Sequence, residues 1–159
     1  MRKARDAFAI LLASLLLSLS ACSLLPTPPP PAELLPLPTT APGAPSLAHV
    51  RFVRMTEETG GTWRFDVTVQ HEDENEQHFV DQWEILITLS DQTLSYARPF
   101  SQPHVQEQPF ETTLAGIQVP AGTDWLLVRA RDSLHGYGGQ EVVVDLGVAA
   151  GPGFQVIRK

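Results

Sequence analysis

The feature that most constrains the fold is the alternation of apolar and polar side chains in short segments after residue 46. The clearest of these is 63–70, WRFDVTVQ, in which every second side chain is apolar or aromatic. Successive side chains of a β-strand point to opposite faces, so this pattern predicts a strand with one buried face. No segment after residue 46 repeats apolar residues at helical spacing, so we expect an all-β domain.

Seven such segments follow one another, separated by turn-forming residues. They are 49–54, 63–70, 82–89, 93–98, 110–116, 124–131 and 140–146. Their number and spacing predict a seven-stranded antiparallel β-sandwich over residues 47–148, followed by a C-terminal tail over 149–159. Hydrophobic residues make up 43% of the chain, which is enough for one packed core of this size.

The predicted architecture resembles immunoglobulin and fibronectin type III domains. The segment from Leu114 to Trp125, which includes the turn Pro120-Ala121-Gly122, is similar to the turn before the sixth strand of fibronectin type III domains. Trp125 stands where that family carries its corner tyrosine. The resemblance implies two packed sheets and no particular chemistry.

A second resemblance is to a group of small exported bacterial proteins without an assigned activity. The segments that carry it include Val67-Thr68-Val69-Gln70-His71, Trp83-Glu84-Ile85, Pro103-His104-Val105 and His135-Gly136-Tyr137-Gly138-Gly139. They recur in order over most of residues 62–145. This resemblance implies a single structural unit and supplies no known function.

Residues 1–21 are predicted to be an export signal. A basic head with Arg2, Lys3 and Arg5 precedes an apolar run over 7–19, which is shorter than the roughly 20 residues that a membrane span needs. The run ends in Leu19-Ser20-Ala21-Cys22, which resembles the lipobox of bacterial lipoproteins. The resemblance implies cleavage between Ala21 and Cys22 and attachment of acyl chains such as palmitate to Cys22. The alternative is a conventional signal peptide that is cut elsewhere.

Lipid on Cys22 implies an exported protein on a membrane, because two or more acyl chains anchor stably. Ser23, in place of Asp, resembles the outer-membrane sorting pattern of bacteria with two membranes. In a host with one membrane, the expected location is the outer face of the cell membrane. Cys22 is the only cysteine, which excludes an intrachain disulfide and a multi-cysteine metal site.

The segment after the lipid site differs in composition from the domain. Nine prolines between residues 26 and 45 predict an extended, disordered stalk over 22–46, although a ligand for a proline-binding module has the same composition. The formal charge of the chain is −7, and loss of the three basic residues and one acidic residue of the signal peptide makes it −9. Such a surface repels nucleic acid and anionic lipid, so the membrane contact is expected through Cys22.

Antiparallel strands joined in sequence place alternate loops at the same end of a sandwich. We therefore expect loops 71–81, 99–108 and 132–139 to share one end, here called the histidine pole. These loops contain no Lys or Arg. They contain four of the five histidines, His71, His78, His104 and His135, and seven acids, Glu72, Asp73, Glu74, Glu76, Asp81, Glu107 and Asp132.

The histidine pole has two functional interpretations besides an ordinary polar loop surface. Imidazole and carboxylate groups from several loops suit Zn or Cu. The candidate ligands are His71, His78, Asp81, His104 and His135, of which His71 and His104 are favoured because they lie near strand ends. The second interpretation is an interaction surface for an envelope protein, a polymer or an ion, formed by Glu72, Asp73, Glu74, Glu76, Glu107 and Tyr137.

The leading functional hypothesis is a lipid-anchored, non-enzymatic binding module, with metal binding as the alternative. A hydrolase or an enzyme subunit is less favoured, because Asp132, Ser133 and His135 fall within one loop without nucleophile-elbow glycines. An EF-hand over 73–84 is excluded because His78 occupies the position that requires glycine.

Overall fold

The structure is a computed structural model that describes residues 33–159, so the predicted signal peptide, the cleavage site and Cys22 lie outside the described residues. Residues 33–159 are all-β, with no helix that could cross a membrane. The strands are β1 (His49–Glu57), β2 (Trp63–Gln70), β3 (Val80–Thr88), β4 (Thr93–Pro99), β5 (Phe110–Ile117), β6 (Trp125–Asp132), β7 (Gly136–Tyr137), β8 (Val142–Asp145), β9 (Ala150–Gly151) and β10 (Phe154–Ile157).

The strands form two sheets of five, and both sheets contribute side chains to one hydrophobic core. The first sheet has the order β5-β2-β1-β10-β9. In the second, β4, β3 and β6 are neighbours, and β7 and β8 pair with different parts of β6. The prediction of an all-β fold is confirmed.

Alternation along the strands explains the core. In β2, Phe65, Val67 and Val69 are completely buried, and in β6 the same holds for Leu126 and Val128. In β1 a register shift between Val50 and Phe52 moves the inward phase by one residue, which buries both Val53 and Met55. This bulge explains why the sequence pattern predicted only the first part of β1.

The expected number of seven strands is corrected to ten, and the difference lies at the C-terminal end. The strand expected at 140–146 is present as the shorter β8, and an additional short strand, β7, lies in the loop expected over 132–139. Between them Gly139 passes so close to β1 that a Cβ atom would lie 1.8 Å from the carbonyl oxygen of Ala48. This close approach ends β7, because the main chain of Gln140 then accepts a hydrogen bond from Val50 N at 2.8 Å.

The tail expected over 149–159 instead contains β9 and β10. β10 pairs in parallel with β1, so the fold is not wholly antiparallel, and Phe154 and Val156 of β10 are buried in the core. β10 covers an edge of β1 that would otherwise expose unpaired main-chain groups. The ordered unit therefore extends past residue 148.

The end of the predicted stalk lies against the first sheet. We call residues 33–46 the strap. Leu35 N donates a hydrogen bond to Arg51 O at 2.8 Å, and Arg51 Nε donates to Leu35 O. The Leu35 side chain packs against the core and contacts the backbone near Gly153. The prediction of a disordered stalk over 22–46 is therefore corrected for the strap, while residues 22–32 lie outside the described residues.

Candidate metal centre

The histidine pole forms where the inward faces of two strands continue beyond the core. Positions 65, 67 and 69 of β2 are buried, and His71 follows in the same phase with 2% of its surface exposed. Positions 126, 128 and 130 of β6 are buried, and Asp132 follows in that phase with 1% exposed. The alternation that buries the apolar side chains of β2 and β6 therefore also places an imidazole and a carboxylate at the edge of the core.

A second imidazole, that of His78, lies in a tight turn between β2 and β3. Asn75 Oδ1 accepts hydrogen bonds from Gln77 N at 2.8 Å and His78 N at 3.2 Å, and His78 O accepts from Glu74 N at 3.0 Å. An asparagine side chain that binds nearby main-chain N–H groups stabilises such turns. The turn directs His78 inward, where it is buried.

His71, His78 and Asp132 together form what we call the candidate metal centre. Each offers one ligand atom, and these three atoms all lie within 4.8 Å of one another. The rings of His71 and His78 meet edge to face with centroids 4.8 Å apart, and His78 Nε2 lies 3.8 Å from Asp132 Oδ1. The centre therefore combines two nitrogen donors and one oxygen donor, all buried.

Two atoms of this centre are buried without a hydrogen-bond partner among the described residues, namely His78 Nε2 and Asp132 Oδ2. A buried polar atom without a partner costs about 1–3 kcal/mol, so a ligand that bound both atoms would stabilise the centre. Zn²⁺ binds nitrogen and oxygen donors at about 2.0–2.2 Å, which places neighbouring donors about 3.3–3.5 Å apart. The separations here, 3.8 Å between His78 Nε2 and Asp132 Oδ1 and up to 4.8 Å within the centre, are longer, so the side chains would have to move closer together around an ion.

Buried carboxylates hold the imidazoles in place. His71 Nδ1 lies 2.7 Å from Asp73 Oδ1, and Asp73 also accepts hydrogen bonds from Val80 N at 3.1 Å and His104 N at 2.6 Å. Burial alone would raise the pKa of Asp73, but these hydrogen bonds and the nearby His71 hold its pKa below the ordinary value. A carboxylate that binds one ring nitrogen of a histidine leaves the other nitrogen free as a metal ligand. In His71 that second nitrogen, Nε2, lies 3.4 Å from Ser46 O of the strap, so His71 has to give up this contact before Nε2 can bind a metal.

Asp132 is held by its own turn. Its Oδ1 accepts hydrogen bonds from Leu134 N at 2.8 Å and His135 N at 2.6 Å. The imidazole of His135 lies beside the same oxygen, with Nδ1 at 3.3 Å, and its ring centroid is 5.0 Å from that of His78. His135 therefore borders the candidate metal centre.

The five predicted metal ligands fall into three groups. His71 and His78 come together, and His135 lies at the border. Asp81 accepts hydrogen bonds from Nε and Nη2 of Arg131, at 2.9 and 2.5 Å, so its carboxylate is already paired. The His104 ring stacks on Phe110 with centroids 4.0 Å apart, and its Nδ1 is buried without a partner among residues 33–159.

Asp132 is the member of the candidate metal centre that sequence reasoning missed. The sequence placed it among the acids of the pole and in the rejected catalytic triad, but not among the metal ligands. The available signal was its phase, because it shares the inward parity of the apolar residues of β6. A carboxylate on the buried phase of a strand is unusual and marks a site that needs a partner.

The predicted interaction surface is divided. Glu72, Glu74, Glu76 and Glu107 are exposed, whereas Asp73 is buried beneath them. Tyr137 lies against the second sheet, where its ring contacts the Arg129 guanidinium at 3.9 Å and its hydroxyl accepts from Gln82. Ser133 binds main-chain groups, with Oγ donating to Gln77 O at 2.9 Å and accepting from Phe79 N at 3.2 Å.

Comparison with known proteins gives one informative similarity. No protein-family model matches the chain, and no solved structure matches it. The chain is similar to a protein of Halomicrobium mukohataei named "Putative lipoprotein", with 38% identity over 98 residues. The similarity covers 62% of this chain and 47% of that protein, so the chain spans about half the length of this relative.

Proposed function

We propose that this protein is exported, anchored to a membrane by lipid on Cys22, and binds a divalent transition-metal ion at its histidine pole without catalysing a reaction. The lipobox-like segment Leu19-Ser20-Ala21-Cys22 and the name of the similar protein support the anchor. The exposed Glu72, Glu74 and Glu76 form the surface that we propose for contact with an envelope protein or polymer.

The strand order supports a sandwich of the immunoglobulin or fibronectin type III class. Immunoglobulin domains place the first, second and fifth strands side by side in one sheet, and the third and sixth strands in the other. Here β1, β2 and β5 are neighbours in one sheet, and β3 and β6 are neighbours in the second. We propose that β9 and β10 are additions to this framework.

One observation carries the metal proposal, namely the convergence of two buried imidazoles and a buried carboxylate with two unpartnered atoms. Nitrogen and oxygen donors at this spacing suit Zn²⁺, and imidazole also binds Cu²⁺. The carboxylates of Asp73 and Glu74, next to Nδ1 of His71 and of His78, support the use of the remaining nitrogens as ligands.

The metal proposal is tested by thermal unfolding of the full chain, purified in detergent, with Zn²⁺ or with a chelator. A ligand at one hundred times its Kd stabilises by about 2.7 kcal/mol, which is a rise of several degrees in Tm. We expect this rise in the natural chain and its loss in His78→Gln. The matched control is His104→Gln, which removes an imidazole of the same pole from outside the centre and should keep the rise.

Three results would contradict the metal proposal. The first is an unchanged Tm of the natural chain at saturating Zn²⁺ and at saturating Cu²⁺. The second is a rise that His78→Gln keeps in full. The third is a rise that His104→Gln abolishes while His78→Gln does not, which would place the ion elsewhere in the pole.

The lipid anchor is tested separately with Cys22→Ser in the producing cell. We expect the natural chain to remain with membranes after a high-salt wash and to take up a labelled fatty acid. Cys22→Ser should do neither, because Cys22 is the only thiol in the chain. Incorporation of label into Cys22→Ser, or an unlabelled natural chain, would overturn the anchor.

A further inference from the structure

The side chains around the candidate metal centre are buried on one side and partly exposed on the other. The side chains of His71 and Asp132 are completely buried, and they adjoin the core. On the other side His135 and Glu74 are the groups that contact the centre, and their side chains are 31% and 63% exposed. On that side, His135 and Glu74 therefore lie between the buried centre and solvent.

His135 adjoins the centre through Asp132 and lies outside the group of three. Its Nδ1 is 3.3 Å from Asp132 Oδ1, which matches the separation of about 3.3–3.5 Å expected for neighbouring donors on one Zn²⁺ ion. Its main-chain N–H is bound to Asp132 at 2.6 Å, and Gly136 follows with a φ of 79°. The backbone of His135 thus lies in a turn that favours glycine at the next position, and its ring is partly exposed.

Glu74 has a different part in the same opening. Its Oε2 lies 3.5 Å from His78 Nδ1, and its main-chain N–H donates to His78 O at 3.0 Å. A carboxylate at Nδ1 favours the tautomer that carries its proton there, which leaves Nε2 as a lone-pair donor toward Asp132. Glu74 is therefore a positioning residue for His78. Its exposed carboxylate also places negative charge beside the centre, which attracts a cation.

We infer that His135 supplies a fourth, exchangeable ligand, and that the centre takes up and releases Zn²⁺ instead of holding it permanently. This inference rests on the proposed metal function. Structural zinc sites are four-coordinate and closed, with all their ligands fixed. Here three ligands are buried and the fourth is at the surface, so dissociation of one imidazole opens a path to solvent without unfolding the loops.

The test measures Zn²⁺ affinity and the rate of Zn²⁺ transfer to a chromophoric chelator, using the full chain in detergent. We expect His135→Gln to retain Zn²⁺ with an affinity lowered about 10- to 100-fold and with faster release. Asp132→Asn should lose binding, and His104→Gln should behave like the natural chain. The absorption spectrum of Co²⁺ in the same site should change in His135→Gln, because water replaces a nitrogen ligand. A merely structural role of His135 would leave that spectrum unchanged.

The outcomes separate this inference from the metal proposal. If the natural chain binds Zn²⁺ and His135→Gln shows the same affinity, release rate and Co²⁺ spectrum, His135 is not a ligand and the inference is overturned while the metal proposal stands. If the natural chain releases Zn²⁺ only upon unfolding, the site is structural and the inference is overturned as well. If the natural chain binds no metal, both fail.

Discussion

The two ends of the molecule satisfy their polar groups in different ways. At the end opposite the histidine pole, two loops are closed by main-chain hydrogen bonds of their own, Glu58 N to Thr62 O at 2.7 Å and Leu89 N to Gln92 O at 2.8 Å, and the bond from Gly116 N to Glu58 Oε2 at 3.4 Å is exposed. At the pole, a buried carboxylate also joins one loop to another. Asp73 accepts from His104 N, thirty-one positions away in sequence, and Ser133 N donates to Phe79 O at 2.9 Å.

This difference separates the interactions that are needed to connect two strands from those that are not. Local turns need only glycine, proline and short polar side chains to connect two strands. Buried carboxylates that join three loops are costly unless every partner is in place, and they fix side-chain positions within narrow limits. The side chains of the histidine pole are therefore fixed more closely than the connection of strands alone requires.

The largest expected effect comes from removing the carboxylate that joins the loops. Asp73→Ala leaves His71 Nδ1, Val80 N and His104 N without their acceptor. Each buried donor left without an acceptor costs about 1–3 kcal/mol, and we expect a loss of at least that size in the free energy of unfolding measured with denaturant. Asp91→Ala, in an exposed turn of the opposite end, should change stability by less than about 0.5 kcal/mol. Equal effects of the two variants would remove the contrast between the ends.

The contribution of Asp73 also has a predicted pH dependence. Its folded pKa is lowered below the ordinary 3.8, so the unfolded state binds its proton first as the solution is acidified. The stabilisation is complete above that ordinary pKa and is lost as pH falls through the lower folded value. Asp73→Asn should therefore show a weaker loss of stability at the acid end than the natural chain. A steeper acid loss in Asp73→Asn would contradict this assignment.

The next effect concerns the unpartnered atoms. Asp132→Asn keeps an oxygen acceptor for Leu134 N and His135 N, and it places an N–H donor where the unpartnered Oδ2 lies. We expect the metal-free variant to be as stable as the natural chain within about 1 kcal/mol, because an amide relieves a buried carboxylate. It should gain none of the roughly 2.7 kcal/mol that one hundred times the Kd of Zn²⁺ confers on the natural chain. Calorimetry of the natural chain and of Asp132→Asn, each with and without Zn²⁺, measures the metal-free stability and the stabilisation by Zn²⁺.

A smaller effect is expected at His49, which lies at the start of β1 and completes the set of histidines at this end. Its Nδ1 accepts a hydrogen bond from Gln140 N at 2.9 Å, and burial, with His71 and Arg51 nearby, lowers its pKa below 6.5. The unfolded chain therefore binds this proton first, so stability decreases as pH falls from 6.5 toward the folded pKa.

His49→Gln keeps a side-chain acceptor and removes that titration. Its free energy of unfolding should therefore fall less than that of the natural chain between about pH 7 and pH 5. The matched comparison is His104→Gln at the same pole. If His49→Gln has the same pH slope as the natural chain, the His49 proton is not linked to folding.

The fold could be predicted from the sequence where one strand face fills the core. The alternation of 63–70 and 124–131 predicted the positions of β2 and β6 to within a residue, because the apolar side chains buried in those strands are two residues apart. It failed for β10, whose four residues Phe154–Ile157 carry too short a pattern. The parallel partner of β10 is β1, and that pairing exists only after the chain has folded.

The sequence predicted the residue types of the candidate site, histidine and acidic residues, but not which of them come together. His71 follows the buried phase of β2, and a residue near a strand end was favoured for that reason. Asp81 could not be excluded from sequence, because its pairing with Arg131 depends on the register between β3 and β6, which includes a shift between Val80 and Gln82. Likewise, nothing local to His104 shows that its ring stacks on Phe110, across the loop that precedes β5.

The smallest expected effect tests the strap, which belongs to neither end and connects the domain to the predicted anchor. Leu35 is half-buried against the core, so Leu35→Ala should cost about 1 kcal/mol, less than the 2–5 kcal/mol of a fully buried leucine. The exposed Leu37 provides the control, since Leu37→Ala should change little. Leu35→Ala should also increase proteolytic cleavage within 33–46, because the pairing of Leu35 with Arg51 loses its apolar support. Cleavage of the natural strap as fast as of the variant would show that it is not docked on the sheet.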